Sequence, residues 1–379
     1  MRQRSPWVRG CALLAGVLAL GGCPQRSPWP PEPGRAHACR LELGEGVPTL
    51  HLAGDPEAMG EGHGRLLGRQ IHALRHDYLE PFLGERYRGF RRAAAEFLPF
   101  MPDRYRAELE ALARGARLRE DEVVLANTFL DLSRAARCSA VIVTGEATAE
   151  GRALLARNLD FPHLGVAHKA TIIKVCHSHS PDRHGYVAVG WPGMVGVLSG
   201  MNDAGLCIAT LVSESQKGVK TGIPHPMMYR RILEECTTPQ EALHLVRTCP
   251  RTCANNLAVA APSGAPLVIE FTADQVAVRR PQRGVLVAAN SFRSPDLMPR
   301  PTPFSERYGL LERLAARSHG RIAVADLERM LRAVQMPEQT LQSIIFEPAR
   351  RRLYLAAGQV PAAGGTFRVI DCAALLAEK

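Results

Sequence analysis

The sequence predicts an α+β domain in which helices cover sheets. Between residues 55 and 137 apolar residues recur at spacings of three and four, with Leu67, Ile71, Leu74, Tyr78 and Phe82 on one such face. From Cys138 the period shortens into apolar runs bounded by Gly, Asn and Asp, which is the punctuation of strands and turns. Helical stretches then alternate with further strand runs, and neither an internal repeat nor a second linker divides the chain after about Cys39. One domain over 40–379 follows.

The first element lies outside that domain. Arg2, Arg4 and Arg9 precede a short apolar stretch that ends at Leu20, the pattern of an export signal over 1–22 rather than of a membrane span. Leu20-Gly21-Gly22-Cys23 resembles the lipobox of bacterial lipoproteins, which implies lipidation of Cys23 and anchoring to the cell envelope. Residues 23–39, rich in proline from Pro24 to Pro33, suit a semi-rigid tether. The net charge of +10 comes almost wholly from scattered arginines, with only five lysines and no basic block. That pattern describes a solvated surface and argues against a nucleic-acid partner.

Within the domain, a helical pattern is expected from 55 to 137, with a second stretch over about 103–113 and a third from about 120. Strands follow at 138–144 and 153–158 as a hairpin, then at 171–176, 186–191, 195–199 and 206–212, the last two separated by a turn at Gly200–Gly205. Two helices at 226–236 and 239–246 come next, the second opened by Thr238-Pro239 as N-cap and first-turn proline. Strands at 257–261, 266–272, 276–279 and 285–289, helices at 303–317 and 324–334, and strands at 343–347 and 352–356 complete the chain. Ten cysteines do not make a disulfide scaffold in a chain this long, although Cys249 and Cys253 are close enough in sequence to bridge.

The chemistry concentrates at the hairpin. Cys138 heads its first strand, and antiparallel pairing brings Arg157, Asn158 and Asp160 at the end of the second strand back towards it. A conventional Cys-His dyad would draw on His177, His179 or His184, which crowd a strand end and turn. The other source of a base is the α-amine of Cys138 itself, freed if the Arg137–Cys138 bond is cut, because such an amine titrates near neutral pH. That chemistry needs a carboxylate for the amine, an arginine beside the thiolate and amide donors for an oxyanion. Arg157, Asn158, Asp160 and Asn255 are of those types.

Four motifs in order carry a resemblance: Arg137-Cys138-Ser139, Arg157-Asn158-Leu159-Asp160-Phe161, Gly200-Met201-Asn202-Asp203-Ala204-Gly205 and Cys253-Ala254-Asn255-Asn256-Leu257. Together they resemble the N-terminal-nucleophile hydrolases of the acyl-coenzyme A:6-aminopenicillanate acyltransferase type (peptidase family C45), relatives of choloylglycine hydrolases and acid ceramidases. The resemblance implies a four-layer αββα fold with two packed antiparallel sheets and no cofactor. It also implies an amide hydrolase or acyltransferase acting on a small acylated amide through a Cys138 thioester. By the same resemblance Cys138 is the nucleophile exposed by self-cleavage, Asp160 fixes the new amine, and Asn255, or Asn256 beside it, lines the oxyanion hole. Asn202 is a turn residue or a substrate contact. Ala289-Asn290-Ser291-Phe292 looks like the family's Thr-Asn-His-Phe strand end, and Ser305-Glu306-Arg307 like its Ser-x-Arg helix start, which adds Asn290, Ser305 and Arg307 to the expected site. Arg137 stands where relatives often carry glycine, and Ser291 where they carry histidine.

Overall fold

The computed structural model describes residues 27–378 other than 45, 134, 179, 214–217 and 299–304. Cys23, His179 and the signal segment lie outside the described residues. In chain order the strands are β1 (Gly34–Ala36), β2 (Cys39–Leu43), β3 (Pro48–Leu52), β4 (Arg137–Val143), β5 (Leu154–Asp160), β6 (Ile172–Cys176), β7 (Tyr186–Gly190) and β8 (Ser199–Asn202). They continue with β9 (Cys207–Val212), β10 (Asn255–Ala260), β11 (Leu267–Phe271), β12 (Val276–Arg279), β13 (Val285–Ala288), β14 (Thr340–Glu347), β15 (Arg352–Ala357) and β16 (Arg368–Asp371). The helices are α1 (Pro56–Ala73), α2 (Glu80–Leu83), α3 (Tyr87–Ala95), α4 (Asp103–Ala116), α5 (Glu120–Ser133), α6 (His225–Glu235), α7 (Pro239–Thr248), α8 (Glu306–Arg317), α9 (Val324–Ala333) and α10 (Cys372–Ala377).

One sheet runs β1-β2-β3-β6-β7-β8-β9-β10-β11-β12 and the other β13-β4-β5-β14-β15-β16. Their arrangement in four layers follows from where alternate side chains go. On β4, Cys138, Ala140 and Ile142 join Ala209 and Leu211 of β9 in a core between the sheets. Val141 and Val143 face the other way and pack with Leu311 of α8 and Leu327 of α9. Leu50, Ile208 and Leu257 bury the far side of the large sheet against Leu67 of α1, Leu112 of α4 and Ile232 of α6. Strands covered on both faces read as nearly continuous apolar runs, which is why they were legible. No described helix is long and apolar enough to cross a membrane.

Local chemistry starts and stops the helices. Asp55 caps α1 by accepting from Ala58 N at 2.8 Å, with Pro56 in the first turn. Thr238 and Glu241 form a reciprocal capping box on α7. The α1–α4 pair packs backbone to backbone: a Cβ on Gly60 would lie 2.2 Å from Glu108 O, and one on Gly64 2.5 Å from Leu112 O. Only glycine fits there.

Several expectations need correction. β3 pairs with β6 in parallel, so the large sheet is not wholly antiparallel. The whole helical block and the β4–β5 hairpin lie between these strands in sequence, a crossover long enough to permit it. Residues 195–199 do not form a strand of their own; β8 starts at Ser199 and takes in Gly200, Met201 and Asn202, leaving a tighter turn at 203–205. β1 to β3 were not expected, and Gly34–Ala36, within the proposed tether, pairs with β2. The described cysteines, Cys249 and Cys253 among them, are free and buried.

Candidate active site

The β4–β5 register sets Arg137 opposite Asp160, Cys138 opposite Leu159 and Ala140 opposite Arg157. Because side chains alternate, Arg157 shares the inward face of β5 with Leu155 and Leu159 and reaches into the space between the sheets. Its Nη2 donates to Cys138 Sγ at 3.1 Å and to Thr210 O at 3.1 Å, and its Nη1 donates to Ser199 Oγ at 2.5 Å. Both Cys138 and Arg157 are fully buried. Burial pushes the Cys138 thiol above its ordinary pKa, Arg157 opposes that rise and the nearby Asp160 charge adds to it. In the uncut chain the sulfur is therefore a thiol at neutral pH.

The backbone nitrogen of Cys138 has its own cradle. It donates to Asn290 Oδ1 at 2.9 Å, and Arg307 Nη2 donates to the same oxygen at 3.0 Å. Arg307 Nη1 donates to Asp160 Oδ2 at 2.7 Å, while Thr340 Oγ1 donates to Asp160 Oδ1 at 2.5 Å. Burial raises the Asp160 carboxyl above its ordinary pKa, with Arg307 and Thr340 pulling it down. Arg307 is presented by the first turn of α8, whose N-cap Ser305 accepts from Tyr308 N at 3.2 Å. Asn290 follows β13, the strand beside β4, and is tied to the other sheet by Nδ2 donating to Val212 O at 2.6 Å.

Other expected site residues go elsewhere. Asn158 alternates outward, donates to Leu331 O at 2.9 Å and accepts from Ser343 Oγ at 2.7 Å. Asn202 is buried at another end of the large sheet, donating to Leu233 O and Cys236 O and accepting from Leu206 N. Asn255 lies with Leu257 and Val259 on the helix-covered face of β10, where its Oδ1 accepts from Thr210 Oγ1 at 3.3 Å. Asn256 takes the opposite face and donates to Ala289 O at 2.8 Å and Ser291 O at 3.2 Å, bracketing Asn290. Ser305 acts as a helix cap. Among the described residues no histidine bonds to Cys138: His51 Nδ1 meets His177 Nε2 at 3.3 Å, and His184 pairs with Asp203. Ser199, Thr210 and Thr340, which hold Arg157 and Asp160, carry no signal in a single sequence. Ser199 and Thr340 act through strand hydroxyls and Thr210 through its backbone carbonyl, features too common to mark.

An apolar cavity of about 100 Å³ is lined by backbone neighbours of the cysteine rather than by Cys138 itself. Ala136, two residues before Cys138, and Leu159, opposite it, line one side, with Tyr78, Phe129, Phe161 and Trp191 around the rest. Phe161 follows directly from β5 and packs on Phe82 with ring centroids 5.1 Å apart.

A family model for acyl-coenzyme A:6-aminopenicillanic acid acyl-transferases matches residues 147–361, more than half of the chain. The chain belongs to this family. The matched stretch contains Arg157, Asp160, Asn290 and Arg307 and begins after Cys138. The chain's four layers are those that the resemblance of its motifs implies. It is similar to protein dcd1B of Dictyostelium discoideum, 27% identical over 259 residues that cover 61% of this chain and 52% of that one. A protein of unassigned function from Archaeoglobus fulgidus is 25% identical over 276 residues, covering 63% and 46%. The chain thus spans about half the length of these relatives. Among solved structures it is similar to a Caenorhabditis elegans ortholog of N-acylethanolamine-hydrolyzing acid amidase, at 16% identity and a TM-score of 0.45, covering 56% of this chain and 93% of that one. Penicillin V acylase from Agrobacterium tumefaciens gives 16% and 0.45, covering 62% and 86%. At that distance no substrate is read across.

Proposed function

We propose that this chain hydrolyses or transfers the acyl group of a carbon–nitrogen amide through a thioester on Cys138, after scission of the Arg137–Cys138 peptide bond. One observation carries the reading: both ends of Cys138 are provided for, with Arg157 Nη2 at 3.1 Å from the sulfur and Asn290 Oδ1 at 2.9 Å from the nitrogen that scission would free. The freed amine takes the thiol proton, and the thiolate attacks the acyl carbonyl. The same amine then returns the proton to the departing nitrogen. Water or a second amine attacks the thioester, releases the acyl group and restores the thiol. Arg307 and Asp160, joined at 2.7 Å, fix the amine's surroundings. Asn290 holds the same nitrogen as an acceptor through Oδ1, its Nδ2 being given to Val212 O at 2.6 Å.

The apolar, aromatic-lined cavity beside Leu159 favours a hydrophobic acyl group. At ≈ 100 Å³ it is smaller than the roughly 150 Å³ apolar cavity that admits benzene. Export and anchoring through Cys23 belong to the same proposal, and acyl groups on a mature N-terminal Cys23 are the expected mass-spectrometric result. Processing supplies the main test. Purified protein should separate under denaturing conditions into two fragments, the second beginning at Cys138, while Cys138→Ala stays one chain. An intact wild-type chain that turns over N-acyl amides would overturn the free-amine mechanism.

A further inference from the structure

On the helix-covered face of the large sheet, Asp131 near the end of α5, His225 at the start of α6 and Cys253 just before β10 converge. All three are buried, at 0%, 1% and 3% exposure. His225 Nδ1 lies 3.0 Å from Asp131 Oδ1, and Cys253 Sγ lies 3.7 Å from each of those atoms. A tetrahedral zinc ion, with bonds of about 2.3 Å to sulfur and about 2.0–2.1 Å to nitrogen or oxygen, needs donor separations of about 3.5 Å to sulfur and about 3.3 Å between nitrogen and oxygen. The nitrogen–oxygen separation of 3.0 Å is shorter than this and the two sulfur separations of 3.7 Å slightly longer, so a small spreading of His225 from Asp131 would complete the face.

We propose that Asp131, His225 and Cys253 bind a divalent transition-metal ion, zinc by donor set. Two further observations point the same way. Asp131 Oδ2 is buried with no hydrogen-bond partner, whereas Asp131 Oδ1 also accepts from His225 N at 3.0 Å and from Thr252 Oγ1. A carboxylate so lopsided, with one oxygen crowded and its twin bare, is costly in a dry interior, and a cation beside it removes that cost. Asn255 Nδ2 lies 3.7 Å from Cys253 Sγ on the donor side, the outer support that a metal-bound thiolate takes. The fourth position is left to Asp131 Oδ2 or water. Asp131 precedes the Arg137–Cys138 junction while His225 and Cys253 follow it, so the ion also fastens the two fragments together if the chain is cut. Binding itself does not rest on scission.

The test uses the full chain, as wild type and as Cys138→Ala, stripped with chelator and titrated with Zn²⁺ and with Co²⁺. Both proteins should retain about one ion per chain after desalting, and Co²⁺ should give the visible bands of a tetrahedral site with a near-ultraviolet thiolate charge-transfer band. Cys253→Ser should lose the charge-transfer band, His225→Gln should lose the retained ion, and Cys249→Ser should keep both. Retention below roughly a tenth of an ion per chain, or a cobalt spectrum without thiolate character, would leave only a hydrogen-bonded cluster and overturn the proposal. The wild-type cobalt spectrum decides even if a variant fails to fold. A Cys138→Ala chain that binds metal but is never cut separates this outcome from the fate of the catalytic reading.

Discussion

Arg157→Met removes the guanidinium from the sulfur of Cys138 while keeping an unbranched, apolar side chain in a fully buried position. Wild-type Arg157 donates from one nitrogen to Cys138 Sγ at 3.1 Å, and its charge is the main influence holding down a thiol that burial pushes up. A hydrogen bond to an ionised partner contributes about 1.5–3 kcal/mol, so a thiolate that loses it in the attacking state should react about 10- to 150-fold more slowly in kcat/KM. Stability should fall too, because Ser199 Oγ and Thr210 O lose a buried donor at a cost of about 1–3 kcal/mol each. A general loss of packing would also slow turnover, so the deciding assay is the pH dependence of Cys138 alkylation. In Arg157→Met the rise in rate should move to higher pH than in wild type. Arg157→Lys keeps the charge but not the planar fork that serves three acceptors, and should fall between the two. A folded Met variant with kcat/KM within about twofold of wild type and an unmoved alkylation profile would refute the pairing as a functional one.

Asn290→Ala removes the acceptor that holds the Cys138 nitrogen and should reduce kcat by about 10- to 150-fold, whereas Asn255→Ala, altered on the far face of β10, should cost less than about tenfold. Equal losses would return Asn255 to the site. Acid stability should report on Glu234, which accepts from Arg230 Nε at 2.7 Å, Tyr105 OH at 2.8 Å and Arg104 Nη2 at 2.8 Å. Burial alone would raise its pKa, but Arg230 and Arg104 hold it down at about 2. A depressed pKa means stability that is complete above the unfolded value near 4.3 and is lost as pH falls towards about 2, on the order of 3 kcal/mol in all. Glu234→Gln should therefore unfold more easily at pH 7, and the gap to wild type in urea midpoint should close between pH 4 and 2; a gap that persists there contradicts the assignment. Gly64→Ala sets a methyl 2.5 Å from the α4 backbone and should lower stability by about 1–3 kcal/mol or more, read as a lower Tm, with no loss expected for Gly89→Ala, where the space is open.

Periodicity and punctuation in the sequence determined the elements and the layers. The apolar runs that became β4, β5, β9 and β10 are buried on both faces, and the spacing of Leu67 and Ile71 marked the helix that packs over the large sheet. The hairpin also determined which residues neighbour Cys138 along the backbone, since antiparallel pairing of β4 with β5 sets Asp160 beside Arg137 without reference to the rest of the chain. Periodicity could not identify β1 to β3, short strands in a proline-rich and glycine-rich lead.

The direction of each asparagine was decided only by the tertiary structure. Asn158, Asn255 and Asn290 are alike in sequence, each polar and at or beside a strand end. Alternation turned Asn158 towards α9 and Asn255 towards the helix layer, while the packing of β13 against β4 turned Asn290 onto the nitrogen of Cys138. Arg307 reached Asp160 from 147 residues away through the placement of α8. Such meetings depend on how the two sheets stack, a long-range outcome that no local pattern of residues encodes. The packing of α5 and α6 on the large sheet brought Asp131, His225 and Cys253 together, a convergence invisible in their spacing along the chain.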